Sequence, residues 1–148
     1  MRILAILLML QQSPSVQVYI PTSRAIEVAR RVARDLGFDV ADPEYYFDLM
    51  LTKDGRPPVE GYVWVGFYGH DNLIETFAIS ENTGQVVEPA ACQVFEFSNL
   101  LPLQRAQQRQ SGLRSKTQKE LMSDFGCDRL TVVRSPIIVR SRAAKSEK

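Results

Sequence analysis

The sequence predicts an α+β fold: an antiparallel β-meander packed against an N-terminal amphipathic helix, with a disulfide-tethered C-terminal helical extension. Three observations predict it. A helical apolar period runs through residues 24–36, a period of two recurs between tight-turn signals from Tyr45 to Val87, and two cysteines, Cys92 and Cys127, lie beyond the meander. The chain's 148 residues fit one domain, and 45% apolar content with seven Phe, five Tyr and one Trp supplies a core.

The first residues, Met1-Arg2, an apolar run Ile3–Leu10 and a polar stretch Gln11–Ser15, have the layout of a secretory signal peptide spanning 1–15. The apolar run is too short to cross a bilayer, which takes about 20 helical residues. A buried first strand or helix of a cytosolic protein is the alternative reading. Export places the mature chain, from Val16, in the periplasm or outside the cell.

Val16–Ile20 reads as extended, and Thr22 or Ser23 as a helix N-cap. Ala25, Ile26, Val28, Ala29, Val32, Ala33 and Leu36 then fall on one helix face, with charged residues on the other and Gly37 as the stop. Tyr45–Thr52 alternates. Asp54–Pro58 is a turn, Gly61–Tyr68 a strand rich in aromatic and β-branched residues, and Gly69–Asn72 a hairpin turn. Leu73–Ser80 alternates again, setting Leu73, Glu75, Phe77 and Ile79 against Ile74, Thr76 and Ala78. Asn82-Thr83-Gly84 turns into a short strand, Gln85–Val87. Pro89–Leu113 reads as loop plus a short surface helix. Thr117 with Glu120 forms a capping-box pattern for a helix Gln118–Phe125 closed by Gly126. Leu130–Val133 and Ile137–Val139 read as short strands, and 141–148 as a polar, flexible tail.

In an oxidising compartment an even cysteine count favours one Cys92–Cys127 bridge; two separate buried thiols are the other reading. In the chain-entropy account, closing that loop stabilises the fold by about 4 kcal/mol. Charge is uneven: residues 1–91 carry 7 Lys/Arg and 12 Asp/Glu, a net −5, and residues 92–148 carry 11 and 5, a net +6. The split reads as a docking surface, as two solvated faces, or as halves that attract each other. Aromatic residues do not interleave with the C-terminal basic residues, so nucleic acid is not an expected partner.

Helix, strand, aromatic strand and then Ile79, Asn82, Thr83, Gly84, Gln85 and Val86 resemble PepSY-type domains over roughly residues 22–88. Those are small exported or envelope-bound bacterial modules. On that resemblance residues 16–140 form one PepSY-like domain, extended beyond Pro89. It implies protein binding or peptidase inhibition without a catalytic centre, in the manner of inhibitors and immunity proteins against secreted toxins.

Chemistry-bearing motifs are sparse. His70, the single histidine, falls in a turn beside Asp71, and turn chemistry accounts for it. Neither cysteine has metal-ligand spacing, and there is no phosphate-loop motif, so no catalytic residue, metal or cofactor is expected. Asp48 and Glu75 lie on predicted strands and can share a face as a carboxylate pair for hydrolysis, although alternating strands expose such residues routinely. The remaining candidates are the rings Tyr46, Tyr62, Trp64 and Tyr68, which alternate onto one side of the sheet. They form an exposed partner-binding surface unless the C-terminal extension covers them. The sequence therefore favours a periplasmic binding or inhibitory protein, extending to an immunity protein that neutralises a secreted toxin. A structural or accessory envelope protein and a small carboxylate-dependent hydrolase are the alternatives.

Overall fold

The computed structural model describes residues 20–134. The signal-peptide segment, the first extended stretch up to Tyr19, the strand at Ile137–Val139 and the tail lie outside the described residues.

Helix α1 (Thr22–Asp35) opens the fold. Its N-cap is Pro21, which makes no side-chain cap bond, so the helix starts one residue earlier than its hydroxyl residues suggest. Leu36 is the C-cap. Gly37 follows at φ +100°, and Phe38 N–H donates to Ala33 O while Gly37 N–H donates to Arg34 O. Those two bonds satisfy the last helix carbonyls in a Schellman arrangement. Ala25, Val28, Ala29, Val32 and Ala33 are buried, and their small side chains let the helix lie close to the sheet.

Six strands form one sheet in chain order: β1 (Tyr45–Leu49), β2 (Tyr62–Gly69), β3 (Asn72–Ser80), β4 (Val86–Glu88), β5 (Gln93–Phe95) and β6 (Thr131–Val133). The first five pair antiparallel, as expected of a meander, and β6 pairs parallel to β5. A parallel neighbour needs a crossover. A 3₁₀ turn (Ser98–Leu100), α2 (Leu101–Ser111) and α3 (Gln118–Phe125) supply it. The capping box of α3 is present, with Thr117 and Glu120 bonded reciprocally and Gly126 as the C-cap.

The two sheet faces are covered differently. Val65, Phe67, Phe77, Ile79, Val86 and Phe95 pack with α1 into the main core. On the opposite face Tyr62, Ala78, Val87 and Val94 pack under Leu121 of α3 and Leu130. Cys92 and Cys127 form the disulfide and tie the β4–β5 hairpin to the end of α3.

The glutamine-rich helix α2 is a clamp rather than a surface ornament. Side chains at positions 104, 107, 108 and 111 share one face of the helix. Gln104, Gln107, Gln108 and Ser111 donate to the carbonyls of Gly84, Glu81, Thr83 and Asn82 in turn. Gln85 adds a bond to each backbone polar group of Lys116. Gly84, at φ +71°, lies so near α2 that a Cβ there would stand 3.3 Å from the Gln104 Cα. The Asn82-Thr83-Gly84-Gln85 turn is thus the hub on which the C-terminal extension is mounted.

Candidate partner-binding surface

Strand alternation places Tyr46, Asp48, Tyr62, Trp64, Gly66 and Tyr68 on the face away from α1. The structure splits these rings between two environments. Tyr62 is 0% exposed; Phe125 meets it edge-on at 4.7 Å, Lys116 Nζ lies 4.9 Å from its ring centre, and its hydroxyl donates to Asp124 Oδ2 at 2.5 Å. Burial and the Asp124 carboxylate push the Tyr62 hydroxyl far above the usual phenol range. Tyr62 is therefore a correction to the expected surface: α3 covers it, so it presents nothing to a partner. Trp64 is half-buried at the seam, 6.1 Å from Phe125, with its Nε1 buried and lacking an acceptor among the described residues.

Tyr46 and Tyr68 lie on the half that none of the described helices covers. They face each other directly across β1 and β2 and stack at 5.0 Å with their planes 7° apart. Gly66 makes this possible: a Cβ there would stand 2.6 Å from the Tyr68 ring, so the ring lies across bare backbone. Tyr46 is 43% exposed, and Leu73, opposite Tyr68, is 49% exposed.

Sequence alternation puts Leu73 on the helix side with Glu75. An irregularity at Phe67/Tyr68 sets Tyr68 opposite Leu73 while Phe67 stays opposite Glu75, which turns Leu73 onto the open face. Met50, whose N–H donates to Trp64 O, and Thr76, whose hydroxyl meets Met50 Sδ at 3.6 Å, extend the patch. Met50 shares Tyr46's side by simple alternation, but Leu73 was not legible as a partner of the tyrosines, because the bulge that turns it has no signature in side-chain order.

Asp48 is exposed on this half and caps the next amide, Leu49 N–H, at 2.8 Å. Glu75, opposite Phe67, faces α1 instead. The two carboxylates thus stand on opposite faces, and the hydrolytic pair is not assembled. Glu75 meets Glu88, which is 3% exposed and accepts the amides of Ala90 and Ala91 in the β4–β5 turn. Burial first, then the neighbouring Glu88 charge, pushes Glu75 up to about 7. His70 sits in the β2–β3 turn with φ +50°, exposed, its Nδ1 3.4 Å from Glu44.

The electrostatics of the acidic region are one-sided. Residues 39–88 contain ten Asp/Glu and two Lys/Arg, a net −8. Among the described residues every Lys or Arg ion pair uses a carboxylate outside that span: Glu27, Asp35, Glu96, Glu120 or Asp124. Among the described residues, therefore, the acidic and basic halves do not neutralise each other by ion pairing. Burial and the nearby Glu60 also push Glu81 up.

No family model matches the chain, and no curated protein matches it. Among solved structures, one chain of a type VI secretion system effector–immunity complex from Pseudomonas protegens is similar. The likeness has a TM-score of 0.66 at 22% identity, over 75% of this chain and 92% of that one. At that identity it is a likeness of fold.

Proposed function

We infer that this protein is a non-enzymatic periplasmic binder that inhibits a protein partner, in the manner of an immunity protein neutralising a secreted antibacterial toxin. The observation that carries the reading is the half-covered sheet face. α3 and the disulfide close one half over Tyr62, while the other half keeps exposed Tyr46 stacked on half-buried Tyr68, with exposed Leu73 beside them. Aromatic side chains of this kind anchor protein interfaces, since they offer contact area at little entropic cost.

Three further observations support the reading. The fold is similar to that of a chain from an effector–immunity complex. The disulfide suits an oxidising compartment. The sequence resemblance to PepSY-type modules points to protein binding as well.

Affinity purification of the full chain from envelope extract tests it. A single recovered protein, toxic when produced alone in the periplasm and tolerated when this chain is co-produced, is the expected result. A recovered protein whose toxicity is unchanged by the chain would remove the inhibitory reading. Envelope defects on deletion in cells lacking any such toxin would favour an accessory role instead.

A further inference from the structure

We propose that the open half of the sheet face, centred on Tyr46, Tyr68 and Asp48, docks a cationic patch of its protein partner, with an Arg or Lys side chain seated on the tyrosine pair. This deepens the binding reading above and rests on it.

The chemistry follows from three features. First, Tyr46, exposed and stacked on half-buried Tyr68, offers an aromatic surface to which a cation is drawn by the ring quadrupole; a guanidinium, itself planar, stacks well on such a ring. Second, Asp48 lies next but one to Tyr46 along β1, so it is on the same face. Its carboxylate has Leu49 N–H as its hydrogen-bond donor and no Lys or Arg partner among the described residues. Glu44, just before the strand, has His70 as its one ion-pair partner among the described residues.

Third, the segment that supplies this region, residues 39–88, has a formal net −8, and although Glu75 and Glu88 lie on the α1 side, none of its carboxylates has a Lys or Arg ion pair among the described residues. Unpaired like charge raises the free energy of the isolated protein and is relieved by an oppositely charged surface. A basic partner removes that repulsion and gains faster association; an acidic or nucleic-acid partner would add to it. The outer edge of β1 is a weaker candidate for strand addition, because Tyr45 N–H already donates to Asp42 O and Asp48 caps Leu49 N–H.

The test uses the full chain, oxidised, with an arginine–glycine peptide as the probe and a glutamate–glycine peptide of equal length as the control. Backbone amide NMR shifts are followed in both titrations. Expected are saturable shifts confined to Tyr46, Asp48, Tyr68 and Leu73 with the arginine peptide alone. The Tyr46→Ala/Asp48→Asn double variant weakens binding by about tenfold, the size of one cation–π contact with one exposed ion pair. Arg105→Glu/Arg109→Glu on α2, a control remote from the patch, leaves binding unchanged.

Shifts that grow without saturation over all the exposed carboxylates, or an unchanged affinity in the folded double variant, overturn the proposal. So does self-association abolished by Arg105→Glu/Arg109→Glu, which would make a second copy of the chain the occupant. A recovered toxin that binds the double variant as tightly as wild type would also overturn the docking face, yet leave the inhibitor reading standing.

Discussion

The Tyr62 hydroxyl donates to the Asp124 carboxylate at 2.5 Å, joining the second strand to the third helix across 62 positions of sequence. Lys116 Nζ lies 2.6 Å from the same Asp124 oxygen. Together they fix α3 over one half of the sheet, and so decide which half stays open.

Tyr62→Phe should therefore destabilise the protein by about 2 kcal/mol, the usual range for a hydrogen bond to a charged group. Urea denaturation measures it. A change near zero would mean that packing against Phe125 alone holds α3.

The disulfide closes a loop with a sequence separation of 35. Replacing both cysteines by serine should lower stability by about 4 kcal/mol in the chain-entropy account. Hydrogen exchange should show amides of α3 losing protection before those of β2 and β3, because the bridge joins α3's end to the sheet.

At Gly66 the Tyr68 ring lies against backbone. Gly66→Ala should push the ring off its seat and unstack it from Tyr46, while global stability changes by less than about 1 kcal/mol, since Ala suits a strand better than Gly. Partner affinity should fall in a protein whose unfolding midpoint barely moves. An unfolding midpoint that drops steeply would show the ring to be structural.

Glu75 carries a pH dependence of defined sign. Its pKa is raised from 4.5 to about 7, chiefly by burial and then by Glu88. Between those values the unfolded chain has released the proton while the folded protein still holds it. Stability therefore falls as pH rises through that window and levels off above it. Solvent screening at a half-buried side chain limits the effect to about 1 kcal/mol. Glu75→Gln should flatten the profile between pH 4.5 and 7; thermal melts across that range check it.

Much of the fold was legible because its signals are local. The α1 stripe, the Thr117–Glu120 capping box, the His70-Asp71 turn and the Asn82-Thr83-Gly84 turn each sit within a few residues of sequence. Strand β5 was hidden: three residues follow Cys92, whose φ of +51° no cysteine advertises, and they are strand only because β4 and β6 flank them. The α2 clamp was hidden too, since glutamines read as solvated until the carbonyls of residues 81–84 are beside them. The candidate surface divided the same way. Alternation put Tyr46, Tyr62, Trp64 and Tyr68 on one face, but the burial of Tyr62 depends on a helix packed from far along the chain, and the bulge that turns Leu73 outward leaves no mark in composition.

The most direct measurement is calorimetric titration of the recovered partner against wild-type protein and against Tyr46→Ala. Expected is a loss of about 2 kcal/mol, roughly thirtyfold in affinity, at an interface anchor of this kind. Equal affinities, with the variant folded and its disulfide intact, would contradict it.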